Sequence, residues 1–203
     1  MDYNIYSLFS IPFFETTLEF SEEVVEYIHS LEHKRTDLNN ADISVSKNVL
    51  DHPLFSDYSS KIDSYINEFV FGISKFDQTK LYLERVASWS NIHHPEDWAQ
   101  EHIHNNSFVS GVWYLETPEN CGDLDLKSPH SGFGLPIDYS RSESNEFNSH
   151  SWSFSPVKGK VYIFPSTLKH SVFKNESKDP RSSIAFNYYA RGVLTTEDKL
   201  IRS

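Results

Sequence analysis

At Lys80 the hydrophobic period of the chain changes, and this change constrains the fold more than any single motif. Upstream, Val24, Val25, Ile28 and Leu31 follow Ser21 and two glutamates at helical spacing, and Tyr58, Ile62, Tyr65, Ile66, Phe69 and Val70 form a second stripe. These spacings predict one helix capped by Ser21 and running to about His33, and another from Ser56 or Asp57 to about Ser74. Downstream the period is two. Leu81, Leu83, Arg85, Ala87 and Trp89 alternate with Tyr82, Glu84, Val86 and Ser88, which predicts a strand ending before the turn-rich residues 91–97. Further strands are expected at 101–104, 108–117, 123–127, 160–165, 170–174 and 181–191. An N-terminal strand is expected within 3–19, where Pro12 confines it to a sheet edge. Residues 35–50 read as a loop with room for a short strand. Residues 128–150, rich in Ser, Gly, Asn and Pro, read as a long loop of the kind that forms lids, with Gly132 and Gly134 as candidate hinges. The pattern is that of a small β barrel buttressed by helices.

A chain of 203 residues suffices for one domain with a real core. We therefore expect a single domain over 1–203, in which residues 1–78 support a barrel core at about 80–191. The net charge of -11 argues against nucleic acid as a partner, because phosphate attraction needs clustered Lys and Arg. It also means that an anionic ligand would need a local positive anchor. The sequence has no apolar run of membrane-spanning length and no signal-like N-terminus, so no membrane partner is expected. The single cysteine, Cys121, cannot form an internal disulfide and fits a reducing, cytoplasmic setting. The oligomeric state is open, a homodimer included.

The chemistry concentrates in three places. In an extended segment His102 and His104 share a face while Ile103 points away. A third histidine, His170, follows the strand-like residues 161–165, and Arg181 stands eleven residues beyond it. Three imidazoles suit zinc, copper, iron or nickel. On the strand from Arg181 to Tyr189, Arg181, Ser183, Ala185 and Asn187 share one face, while Ile184 and Phe186 share the packing face. A guanidinium fork beside a hydroxyl, Arg181 with Ser183, is shaped to hold a carboxylate. His29 and His33, four apart on the first helix, are read as surface or packed residues, and the adjacent His93 and His94, which would face opposite ways on a strand, are not expected to be ligands.

Five segments together resemble a known family: His102-x-His104, Ser-Gly-Val-Trp-Tyr-Leu at 110–115, Gly-Asp-Leu-Asp-Leu at 122–126, Phe-Pro-Ser-Thr-Leu-Lys-His at 164–170 and Arg-Ser-Ser-Ile-Ala-Phe-Asn at 181–187. Over roughly residues 85–190 the chain is similar to the iron(II)- and 2-oxoglutarate-dependent oxygenases. It most resembles the branch found in bacteria and marine phages, related to prolyl hydroxylases. The resemblance implies a double-stranded β-helix, the jelly-roll or cupin-like barrel, with helices packed outside. It implies Fe(II) as cofactor, 2-oxoglutarate as cosubstrate and dioxygen as oxidant, with succinate and carbon dioxide released as a peptidyl prolyl or small-molecule substrate is hydroxylated.

Carried over, the resemblance makes His102 and His170 iron ligands and gives the far carboxylate of 2-oxoglutarate to Arg181 and Ser183. Tyr114 and Asn187 are expected to line the cosubstrate pocket. The family's usual ligand set is two histidines and a carboxylate, and here His104 stands at the carboxylate position. Three arrangements are open: a neutral three-histidine triad; His104 as first ligand with Asn106 in the carboxylate place; or a carboxylate folded in from Glu101, Asp123 or Asp125. The first needs no rearrangement. Two readings from other classes compete, a three-histidine zinc enzyme and a jelly-roll binding protein without catalysis. The zinc reading leaves Arg181 and Ser183 without a role.

Overall fold

The computed structural model describes residues 2–36, 40–130 and 142–194. The element order is β1 (Phe14–Thr17), α1 (Glu22–Ser30), β2 (His33–Thr36), β3 (Ala41–Ser44), α2 (Ser56–Asn67), β4 (Leu81–His93), β5 (Ala99–His102), β6 (Val109–Glu116), β7 (Leu124–Lys127), β8 (Ser151–Phe154), β9 (Lys160–Pro165), β10 (His170–Val172) and β11 (Arg181–Gly192). Two short 3-10 turns precede α2, which continues into a π-helical turn over Glu68–Ile73. The strands form a seven-stranded sheet, ordered β1-β9-β6-β11-β4-β3-β2, and a four-stranded sheet, ordered β5-β10-β7-β8. The ladders joining them are antiparallel, and the two sheets face each other as a jelly-roll sandwich.

The centre of the larger sheet is buried on both sides, and its sequence shows why. Along β6, Val109, Trp113 and Leu115 pack with Val24, Ile28, Phe55, Ile62 and Ile66 under the helices. Tyr114 points the other way and packs with Leu124, Leu126, Tyr162, Phe164 and Leu168 between the sheets. A strand covered on both faces needs apolar residues at nearly every position, so its alternation is muted. Trp113 anchors the helical layer: its indole N–H donates to the Leu18 carbonyl at 3.0 Å and its ring meets Phe20 edge-on at 5.4 Å.

The close approach of β6 to β11 depends on Gly111. A Cβ there would lie 2.3 Å from Phe186 Cε2 and 2.8 Å from the Tyr162 carbonyl oxygen, and the latter is backbone that cannot step aside. Gly111→Ala is expected to lower the free energy of unfolding by about 1–3 kcal/mol, as overpacking does. Denaturant titration of both proteins reads that loss directly.

Several predicted elements are displaced. Residues 35–50, expected as mostly loop, contribute β3 and the end of β2. Polar side chains of β2 bond to other protein groups instead of water: the Arg35 guanidinium grips buried Asp97, and the ring of His33, expected at the end of the first helix, has its Nε2 2.8 Å from Ser90 Oγ. β8 begins where the loop expected over 128–150 ends, and it is an unpredicted strand at the sheet edge that a Ser-Trp-Ser-Phe run does not announce. Gly132 and Gly134, named as hinges, lie outside the described residues. Ser21 precedes α1 as expected, in extended conformation, but its side chain makes no capping hydrogen bond. Among the described residues no helix is long and apolar enough to cross a membrane.

Candidate active site

A cavity between the sheets is lined from the smaller sheet by Ala99, His102, Leu124, His170 and Val172, and from the larger by Trp89, Asn91, His93, Tyr114, Arg181 and Ser183. His102 ends β5 and His170 begins β10, and the two are paired across the ladder, which brings their ring centroids to 4.3 Å. His104 lies beyond the strand, not on it as alternation had suggested. Its backbone N–H donates to the Ser166 carbonyl at 3.0 Å, which pins the turn, and its Nε2 comes within 3.3 Å of His102 Nε2. The ligand-capable atoms of the three histidines all fall within 4.8 Å of one another.

Their hydrogen bonds decide which nitrogen is free. His102 Nδ1 lies 2.7 Å from the Gln100 carbonyl and His170 Nδ1 lies 2.8 Å from the Leu168 carbonyl, so each Nδ1 carries the proton and donates it. His104 Nδ1 faces Asn187 Oδ1 at 2.6 Å. All three Nε2 lone pairs therefore turn into the same space, the arrangement that orients metal-ligating imidazoles. Burial is the main cause that lowers the His170 pKa to about 3, with His102 adding to it. Burial lowers His104 in the same direction, so both rings remain neutral, as metal ligands must be. This donor set fits iron(II), as it fits other imidazole-binding metals.

Among the described residues the cluster includes no carboxylate. Glu101 pairs with Lys169 at 3.2 Å, Asp125 accepts from Ser153 at 3.0 Å, and Asp123 is not in the cluster. Asn106 is exposed in the turn after His104, with a φ of 59°. The geometry favours the neutral triad over either alternative.

Arg181 is buried, with 2 % of its surface exposed. Its Nη1 donates to the carbonyls of Cys121 at 2.9 Å and Gly122 at 2.7 Å, while Nε is buried without a partner. Burial lowers its pKa from a very high starting value, so it keeps its charge, and no ion pair among the described residues neutralises it. A buried cation held by neutral carbonyls, with an orphaned N–H, is a cradle for an anion. Ser183 stands opposite Tyr114 in the β11–β6 ladder, and both line the cavity. Burial pushes the Tyr114 phenol pKa upward, so its hydroxyl stays protonated and able to donate.

Asn187 is placed otherwise than expected. It shares a strand with Arg181 but lies six residues on, about 20 Å at strand rise. It therefore reaches His104 and Ser110 and not the Arg181 end of the cavity.

His93, expected beyond the end of its strand and not as a ligand, has a different place in the structure. β4 continues through Asn91 to His93, which lies opposite Arg181 in the ladder and lines the cavity. Both ring nitrogens are buried without partners, and burial together with the Arg181 charge pushes its pKa well down. The signal was available: Trp89, Asn91 and His93 extend the alternation, and the first true stop is Pro95. Polar side chains that face a cavity resemble turn residues in sequence.

The family model described as "Putative 2OG-Fe(II) oxygenase", 2OG being 2-oxoglutarate, matches residues 87–187, about half of the chain and the part that carries this cavity. No curated protein matches the chain significantly. Among solved structures, a Pseudomonas putida prolyl-4-hydroxylase is 14% identical with a TM-score of 0.59, covering 90% of this chain and 95% of that one. A Trichoplax adhaerens prolyl hydroxylase in complex with a hypoxia inducible factor peptide fragment is 13% identical with a TM-score of 0.60, covering 87% and 83%. HygX from Streptomyces hygroscopicus, with nickel and 2-oxoglutarate bound, is 12% identical with a TM-score of 0.57, covering 92% and 85%. At such identities the likeness is one of fold, and the fold is the jelly roll described above. With the family match lying over the segment that bears the three histidines and the buried arginine, the chain belongs to the 2OG-Fe(II) oxygenases, enzymes that use iron(II), 2-oxoglutarate and dioxygen.

Proposed function

We propose that His102, His104 and His170 hold iron(II) through Nε2, and that Arg181, flanked by Ser183 and Tyr114, holds the far carboxylate of 2-oxoglutarate. One observation carries this reading: a single cavity contains three convergent bare imidazole nitrogens and a buried guanidinium without a carboxylate partner. Iron so held supplies the family chemistry, in which 2-oxoglutarate and dioxygen give succinate and carbon dioxide as a C–H bond of the substrate is hydroxylated.

The protein's own residues position and shield. Arg181 offers its unspent donors to the carboxylate, and the preset geometry limits the entropy lost on binding. Protonated Tyr114 and Ser183 add neutral donors beside it. Ala99, Val112, Leu124, Phe164 and Val172 give the cavity apolar walls that exclude water and strengthen each polar contact inside. Phe164 packs its ring against His170 at 4.9 Å, and Trp89 lies 5.7 Å from His104, so both imidazoles are held in place from the side.

For the prime substrate we propose a peptidyl prolyl residue or a small molecule. HygX has been seen with hygromycin B and the Trichoplax enzyme with a peptide, and this fold serves both classes. Access would be from the side of His102 and His104, which are half-buried where His170 is buried.

The test is an anaerobic titration with iron(II) followed by 2-oxoglutarate. A weak visible charge-transfer band, absent with either component alone, is expected from chelation of a keto acid at the metal. Iron binding without the band would overturn the oxygenase assignment of this cavity and favour the zinc or binding-protein readings.

A further inference from the structure

His104 differs from the other two cluster histidines in what holds it. His102 and His170 donate to backbone carbonyls two residues before them, a contact fixed by the local chain. His104 instead meets side chains from three other places: Asn187 on β11, Ser110 on β6 and, behind Ser110, Ser166 after β9.

The protons of this network can be followed one by one. Ser110 Oγ donates to Asn187 Oδ1 at 2.7 Å, which spends the only hydroxyl hydrogen of Ser110. Ser110 and Ser166 lie 2.7 Å apart, so Ser166 is the donor in that pair. His104 Nδ1 is 2.6 Å from Asn187 Oδ1 and 3.1 Å from Ser110 Oγ. With Asn187 presenting Oδ1 to this network, neither atom has a hydrogen to give, so Nδ1 carries one and donates it. Ser110 and Ser166 are fully buried, and water is not at hand to rearrange the pattern. Nε2 is then bare and faces His102 and His170.

We infer that Asn187, backed by Ser110 and Ser166, is a positioning residue that sets the tautomer of His104 and so makes a histidine serviceable where the family ordinarily places a carboxylate. This inference rests on the three-histidine reading proposed above for its consequence, but not for its structure. A carboxylate ligand has no tautomer to select. An imidazole at that position can turn an N–H toward the metal, and an acceptor behind Nδ1 removes this option.

The experiment has two readouts on the same proteins. Long-range proton–nitrogen NMR of the metal-free, nitrogen-15-labelled protein reports which His104 nitrogen is protonated, and competition titration with Co(II) reports metal affinity. Wild type is expected to show protonated Nδ1 and bare Nε2. Asn187→Leu is expected to show a mixed or reversed His104 tautomer and about 10- to 100-fold weaker Co(II) binding, the usual loss for an outer partner of a ligand. Asn187→Asp keeps an acceptor that cannot be turned around, and is expected to bind Co(II) at least as tightly as wild type. Unchanged tautomer and affinity in Asn187→Leu would overturn the inference. So would equal losses in the Leu and Asp variants, since Asn187 would then only pack. If Asn187→Leu does not fold, Asn187→Asp still decides, because weakened Co(II) binding there contradicts the tautomer role. Wild type with protonated Nδ1 but no Co(II) binding would remove the triad reading and leave the tautomer assignment standing.

Discussion

Arg181→Met is expected to raise the dissociation constant for 2-oxoglutarate by roughly 30-fold to several thousand-fold, while iron(II) affinity changes only a few-fold. The range follows from the cost of about 2–5 kcal/mol for removing one partner of a desolvated, hydrogen-bonded charge pair, at tenfold per 1.4 kcal/mol. The variant also abandons the Cys121 and Gly122 carbonyls that Nη1 now satisfies, so some loss of stability should accompany it. Arg181→Lys separates the two effects. Lysine keeps the charge but not the planar fork, and recovery of part of the 2-oxoglutarate affinity is expected, short of wild type. Calorimetric titration of 2-oxoglutarate into the protein loaded with Mn(II) or iron(II) measures both. Wild-type affinity in Arg181→Met would take the arginine out of the cosubstrate site.

The second large effect belongs to His170. His170→Ala removes a direct ligand, and metal binding is expected to weaken by more than about 100-fold, beyond what the loss of an outer partner costs. A metal-free readout accompanies it. Above pH 6.5 His170 is neutral in both folded and unfolded chains and adds no slope to stability. Below it the unfolded chain takes up a proton that the folded one refuses until about pH 3, so stability falls as pH falls through that window. Each unit within it costs up to about 1.4 kcal/mol. Metal-free His170→Ala should therefore lose stability more gently than wild type between pH 6 and 4. Parallel stability profiles, or retained metal binding, would show that the site has been misplaced.

What the sequence made legible was what depends on alternation and order. His102, His170 and the Arg181–Ser183 face lie at the ends of strands that alternation and turn signals locate, whereas His104 joins them from the turn beyond β5, where strand parity does not apply. The strand at β6 was legible, while its burial on both faces, which accounts for its muted alternation, is a finding of the structure. Distance along a strand was not legible from parity: Asn187 shares a face with Arg181, yet it serves the histidine end. His93 was hidden because polar residues facing an internal cavity have the composition of a turn. The hairpin of β2 and β3 was hidden because tertiary partners such as Asp97 and Ser90 satisfy its polar side chains, and those partners lie some sixty residues away. Edge strand β8 carries too little apolar patterning to stand out from a loop.

The cavity also matters mechanically. His102 and His170 belong to the smaller sheet and Arg181 and Ser183 to the larger, and among the described residues no continuous ladder joins the two. Whatever these groups grip together is a strut across the sandwich, and prying the sheets apart requires releasing it. Occupancy at 100 times the dissociation constant adds about 2.7 kcal/mol to the folded state. With the ligation proposed above, the enzyme's durability would be tied to its supply of metal and keto acid: a starved molecule would be the softer one, and the first that heat or a protease would open.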